Sequence, residues 1–262
     1  FTCCAFGCAT IYEYESSRRF HARRDIFEEW SNLIRGKKQF GWRDELNKSW
    51  NNLRNVEKVF VGIVFVNASI YLCWRSRKFQ ATLTKMFTDG ISKDHIYLTM
   101  VTSMFSHYNF FHMAINMYVL NSFAVATSYT FKCEEFLAFY LSAGVFSSFF
   151  SRFVKSLRGI SKRSLGASGA VLGLVACTCI MYPQSKLGIV FIPNVSFSAQ
   201  NALIGIILVD IAGILFRWRF IDHAAHLGGT LFGVWYMYWG RSELWNNRFR
   251  LSQKWHEFRS RK

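Results

Sequence analysis

Three stretches of the chain set groups capable of acyl-transfer chemistry inside apolar runs. The first, Ser164-Leu-Gly-Ala-Ser-Gly-Ala-Val-Leu-Gly-Leu-Val-Ala176, holds the Ser168 hydroxyl between Ala167 and Gly169. The second, His112-Met-Ala-Ile-Asn116, and the third, His226-Leu-Gly-Gly-Thr-Leu-Phe-Gly233, add two imidazoles and an amide. Peptide hydrolysis needs a nucleophile, a base to take its proton, and donors for the oxyanion that develops. Ser168 supplies the hydroxyl. His226 is the natural base, because an imidazole titrates near neutral pH. No intramembrane Asp or Glu is well placed to orient it, so the pair is expected to act as a Ser–His dyad. His112 and Asn116, four residues apart on one helical face, present an N–H and an NH₂ suited to an oxyanion. The Ser168 N–H, at a helix start, is a further donor. Gly166 lets a substrate backbone pass close.

Each group also has a plainer reading. A serine in a membrane helix commonly bonds back to its own backbone. The histidines near one face (His107, His112, His223 and His226) could ligate a metal or haem. There is no His-Glu-x-x-His pair and no carboxylate cluster, however, and neither alternative accounts for Ser168 among its glycines. Asp210 suggests a proton relay or a transporter, or more simply a hydrogen bond within a helix bundle. His107 and His223 read as structural or cavity-lining residues. Chemistry is favoured because all three stretches place costly polar groups in apolar runs. No cofactor and no metal is expected.

These groups need elements to hold them, and a helix crossing a bilayer takes about 20 residues. Apolar runs read as spans at 59–74, 109–128, 136–153, 165–182, 202–216 and 223–239. Phe1 to Tyr14 reads as the end of an earlier membrane helix, cut where the sequence begins without an initiator Met. If each span crosses once, the second, fourth and sixth begin on one face. His112 with Asn116, Ser168, and His226 then lie at similar depth below it. Gly169 with Gly173, and Gly229 with Gly233, give the fourth and sixth spans small-residue faces that let their backbones approach. The fifth span, between Pro193-Asn-Val-Ser-Phe-Ser198 and Arg217-Trp-Arg-Phe-Ile-Asp222, is expected to move and to gate entry of a substrate from the lipid.

Composition agrees. Of 262 residues, 51% are hydrophobic and only two are proline, which suits long helices in a membrane and not an ordinary soluble domain. The net charge of +16 lies mainly outside the apolar runs, without a zinc-finger, RNA-recognition or basic-zipper signature. It points to anionic lipid surfaces and excludes nucleic acid as a partner. Seven cysteines, without a second pair for Cys177-x-Cys179, read as packing residues. Short loops on the motif face (75–94, 152–163, 217–221) hold twelve Lys/Arg against two opposite, Lys132 and Lys186. The positive-inside rule therefore turns the motif face to the inner compartment.

Gly166-Ala-Ser-Gly169, His107-x4-His112-x3-Asn116 and Ala225-His226-x2-Gly229-x3-Gly233 together resemble the motifs of the rhomboid family of intramembrane serine proteases. The resemblance covers nearly the whole chain and is closest to mitochondrial members. Runs such as Tyr140-Leu-Ser-Ala-Gly-Val145 and Asp222-His-Ala-Ala-His-Leu-Gly-Gly229 carry that closer match. It implies an all-α membrane protein with a six-transmembrane-helix core preceded by one extra N-terminal helix, here truncated. It assigns Ser168 as nucleophile, His226 as base, and His112 and Asn116 to the oxyanion site, where Gly166 is also expected. It further implies the mitochondrial inner membrane, an active site toward the matrix, and cleavage of single-pass membrane proteins. Partners are then those substrates and lipid, with homo-oligomerisation left open. One departure stands out: where many bacterial rhomboids carry Trp-Arg before the second helix, this chain reads Tyr97-Leu-Thr99. The expected organisation is a membrane-helix end at 1–15, a basic amphipathic linker at 16–57, the six-helix core at 58–240, and a basic interfacial tail at 241–262. The alternative is a catalytically inactive relative that only binds membrane helices.

Overall fold

The computed structural model describes residues 1–33, 41–90, 95–189 and 192–261. Residues 34–40 of the expected linker, Phe40 among them, and the side chains of Phe27, Trp30 and Pro193 lie outside the described residues. The chain is mostly helical. In order come α1 (Thr2–Leu33), α2 (Trp42–Asn52), α3 (Asn55–Arg75), α4 (Arg77–Met86) and α5 (Ile96–Thr102), which runs into a 3-10 turn. Then follow α6 (Phe110–Thr127), α7 (Cys133–Leu157), α8 (Ser168–Met181) and an antiparallel hairpin of β1 (Lys186–Ile189) and β2 (Ile192–Ser198). The last elements are α9 (Ala199–Leu215), α10 (His223–Trp235), a π-turn, α11 (Arg241–Leu244) and α12 (Phe249–Ser260). Among the described residues, α3 and α7 are long and apolar enough to cross a membrane, while α8 and α9 are apolar but shorter.

Each expected span has its helix, with boundaries set by local chemistry. Asn109 caps α6 by accepting from the backbone N–H groups of Phe111 and His112. Ser198 caps α9 through the Asn201 N–H, and Asp222 caps α10 through the Ala225 N–H. Glu134 and Glu135 open α7 and Lys155 closes it, each complementing the helix dipole. The fourth helix begins later than the apolar run does. Gly166 adopts φ of 125°, in the region that favours glycine, so the chain turns sharply there and Ser168 becomes the first residue of α8.

Two expectations need correction. The composition change near residue 15 does not end a helix, because α1 runs unbroken from Thr2 to Leu33. Arg, Lys and Glu are as helix-compatible as the apolar residues before them. The all-α expectation also needs one addition: the connection between α8 and α9 is a hairpin, so the fold carries one small sheet beside its helices.

The core lies where α7, α8 and α10 meet. Phe136, Phe139, Tyr140, Leu174, Phe232 and Tyr236 are fully or nearly fully buried there. Glycine makes the meeting of α8 and α10 possible: a Cβ on Gly229 would fall on the Gly169 carbonyl oxygen, and one on Gly173 would lie 3.0 Å from the Gly229 carbonyl oxygen. Phe6 of α1 stacks on Tyr236 with ring centroids 5.4 Å apart, which fixes α1 against the bundle. The tail returns to the same helix. Arg248 Nε donates to Glu13 at 2.8 Å, and Arg259 and Trp255 donate to Glu15 at 2.6 and 3.0 Å. Large apolar side chains on the outer faces, such as Phe65, Leu72, Leu208 and Leu215, are more than half exposed.

Candidate functional site

Three helix starts converge. Ser168 opens α8, His226 lies in the first turn of α10, and His112 lies in the first turn of α6. Ser168 Oγ and His226 Nε2 are 2.9 Å apart, within hydrogen-bond reach although 58 residues separate them in sequence. The approach depends on the small-residue crossing of α8 and α10, and on Ser147 of α7, whose Oγ donates to the Ala225 carbonyl at 2.7 Å in the space that a Cβ on Gly169 would occupy.

The segment leading to Ser168 is held from two sides. Gly166 N–H donates to the Ser103 carbonyl at 2.9 Å, and Ala167 N–H donates to His107 Nε2 at 3.2 Å. His107 is fully buried and shapes this turn, in keeping with its structural reading. Its ring meets that of His112 edge-on, with centroids 5.1 Å apart. His112 is exposed and overhangs Gly166; a Cβ on Gly166 would come within 2.8 Å of the His112 ring. Asn116 is buried, and its Nδ2 donates to the His112 carbonyl at 2.8 Å, leaving its second amide hydrogen for another acceptor. As the first helical residue, Ser168 has a backbone N–H without an intrahelical partner. The His112 ring thus stands over the turn into Ser168, and the Asn116 amide lies one turn further along the same helix. A polar cavity of about 30 Å³ lies behind it, lined by Ser103, Ser147, Ser148, Ser151 and Ser164 as well as Ser168, and is large enough for a water molecule.

Two carboxylates hold places beyond those the sequence reading gave them. Asp210 of α9 makes the hydrogen bond expected of it within the bundle, to His223 Nδ1 at 2.8 Å, and its Oδ1 also lies 3.7 Å from His226 Nδ1. Asp222, read only as a loop end, ties three elements together. It caps α10, pairs with Lys155 of α7 at 2.6 Å, accepts from Ser151 at 2.7 Å, and bonds Ser164 just before the turn into Ser168. Burial by itself would raise its carboxyl, but the Lys155 ammonium and the bonds from Lys155, Ser164 and Ser151 outweigh that and hold it at about 2. A second network anchors the departing loop: Arg152 of α7 pairs with Asp89 at 2.6 Å and donates to Thr99 at 3.2 Å, the position within Tyr97-Leu-Thr99. Tyr97 points outward and is 88% exposed, so Thr99 is the residue that fixes this segment.

Residues 94–243, which carry these groups except Asp89, match the Rhomboid domain. The chain is 43% identical over 262 residues to "Presenilin-associated rhomboid-like protein, mitochondrial" of Homo sapiens, covering 99% of this chain and 69% of that protein. It is 31% identical over 175 residues to "Rhomboid protein 1, mitochondrial" of Saccharomyces cerevisiae, covering 65% and 50% of the two. Against "RHOMBOID-like protein 12, mitochondrial" of Arabidopsis thaliana the identity is 26% over 208 residues, covering 72% and 59%.

Proposed function

The chain belongs to the rhomboid family, and from that premise we propose that it is an intramembrane serine endopeptidase that cuts single-pass membrane proteins in or near their transmembrane helices. The observation that carries this reading is the 2.9 Å approach of Ser168 Oγ to His226 Nε2. Ser168 Oγ attacks the scissile carbonyl carbon while His226 Nε2 takes its proton. The tetrahedral oxyanion is met by the His112 imidazole, the Asn116 amide and the Ser168 N–H, with Gly166 leaving room for the substrate backbone. Collapse returns the carbonyl, and His226 passes its proton to the leaving amine. Water, activated by the same imidazole, then frees the acyl group from Ser168.

In this reading α3, α6, α7, α8, α9 and α10 are the six crossing helices and the first half of α1 is the extra one. At about 1.5 Å per residue the 14 residues of α8 reach about 21 Å, short of the roughly 30 Å of a hydrocarbon core. Ser168 then lies several ångströms inside the membrane while its polar surroundings admit water. The mitochondrial names of the relatives and the basic motif-face loops support the inner membrane with the site toward the matrix. The rival reading is an inactive relative that binds helices without cutting them. Full-length protein in sealed vesicles with a transmembrane reporter separates the two: wild type should cleave, Ser168→Ala should not, and chelators should change nothing. Cleavage by Ser168→Ala at the wild-type rate sinks the assignment.

A further inference from the structure

His226 turns Nε2 to Ser168, so Nδ1 must carry the ring hydrogen whenever the residue acts as base. That hydrogen needs an acceptor, and the carboxylate facing it is Asp210, with Oδ1 at 3.7 Å. Asp210 is 3% exposed, and its Oδ2 has no hydrogen-bond partner among the described residues. The oxygen facing His226 is Oδ1, so what Asp210 brings to the base is a buried, incompletely matched charge close by. Its Oδ1 is held by His223 Nδ1 at 2.8 Å, and the His223 ring stands 6.4 Å from that of His226. The seat for His223 is built into α9, because a Cβ on Gly213 would overlap the imidazole. Helix α9 therefore delivers a fixed, half-satisfied carboxylate to the side of the base away from the nucleophile.

We propose that Asp210 and His223 are positioning residues for His226, turning the pair into a Ser–His–Asp arrangement whose acid comes from α9. Asp210 faces the Nδ1 hydrogen across 3.7 Å, beyond direct hydrogen bonding but near enough for its charge to favour the hydrogen on Nδ1, keep Nε2 free for the Ser168 proton, and stabilise the imidazolium formed as the serine attacks. His223 holds the carboxylate in place. The base is thus oriented only while α9 is docked on α10, which joins the position of that helix to the chemistry. This inference rests on the reading of Ser168 as nucleophile and His226 as base.

The test uses full-length protein in vesicles, with wild type, Ser168→Ala, Asp210→Asn, His223→Ala and the double variant. Reporter kcat and KM, the labelling rate of the serine by a fluorophosphonate, and the melting temperature are measured together. An amide can donate to Nδ1 and favour the wrong tautomer, an effect worth about 10⁴-fold where the carboxylate is directly bonded. At 3.7 Å the expected loss in Asp210→Asn is smaller, on the order of 10²-fold in kcat and equally in labelling, with KM and melting unchanged. His223→Ala should lose less, and the double variant should be no worse than Asp210→Asn alone. Wild-type labelling in Asp210→Asn, a loss confined to KM or melting, or fully additive losses in the double variant overturns the inference while the protease reading stands. Should Asp210→Asn fail to fold, the His223→Ala arm decides: unchanged kcat and labelling there overturn it equally. Cleavage by Ser168→Ala overturns the protease reading instead.

Discussion

Ser168 faces His226 because two backbones cross closely, and Gly229→Ala perturbs that crossing where it is tightest. The new Cβ would fall on the carbonyl oxygen of Gly169, the residue after Ser168. Carbon and oxygen settle at about 3.3 Å, so α8 and α10 must part by on the order of 1 Å. The present Ser168–His226 separation of 2.9 Å would then exceed hydrogen-bond reach. A displacement of about 1 Å can cost about 10²-fold in rate, which is the expected fall in turnover. Stability should fall less, because overpacking costs about 1–3 kcal/mol while alanine regains about 1 kcal/mol of helix propensity. Gly173→Ala is the graded case: its Cβ would stand 3.0 Å from the Gly229 carbonyl oxygen and 3.1 Å from Ala143 Cβ. A few tenths of an ångström relieve that, so the loss should stay below about tenfold. Gly62→Ala on α3, with nothing within 4 Å of its Cβ, should leave cleavage intact and melting equal or higher. Reporter cleavage in vesicles and melting in detergent read all three. A Gly229→Ala enzyme with wild-type turnover would refute the claim that this crossing sets the site.

Other expectations concern the donors, the Asp222 hub and access. His112→Ala or Asn116→Ala should lower kcat by up to about 10²–10³-fold with little change in KM; if the double variant also keeps wild-type turnover, the oxyanion role is wrong. Asp222 is held at about 2 in the folded protein, below its unfolded value near 4, so its contribution is complete above about pH 4 and is lost as pH falls toward 2. Melting measured across that window should lose about 2 kcal/mol of stability in wild type and less in Asp222→Asn, and equal slopes would remove Asp222 from the account. Cysteines engineered to tie α6 to α9, in a background without the native ones, should block cleavage until reduced, whereas full activity of the locked form places substrate entry elsewhere.

What the sequence carried was the candidate residues and the helices that hold them. Ser168, His226, His112 and Asn116 stand out because polar groups in apolar runs are conspicuous, and the alternation of spans was enough to bring their helix starts together. Glycine spacing likewise announced the crossing of α8 and α10. Conformation at a single residue was hidden: nothing in Gly166 as a letter says that φ is 125° and that α8 waits until Ser168. Composition also misled at residue 15, since a helix does not need its side chains to stay apolar in order to continue. The approach of Asp210 to His226 depends on the rotation of α9 about its own axis, which the packing of His223 on Gly213 sets. Asp222 as a hub required Lys155, Ser151 and Ser164 to arrive from two other segments. Such arrangements are properties of the assembled bundle and leave no local pattern to read.

The 58-residue gap between Ser168 and His226 also bears on when such a chain becomes dangerous to its surroundings. On the proposed reading, a fragment ending between α8 and α10 contains Ser168, its donors and the turn that presents it, but no base. One ending before α9 lacks Asp210 as well. On that reading, a chain laid into the membrane from its N-terminal end would stay chemically inert through most of its insertion, and the capacity to cut would arrive only with α10. Premature termination or incomplete insertion would then yield a harmless product instead of an unregulated one, and the order of the segments would act as a safety catch, released by the completion of the fold.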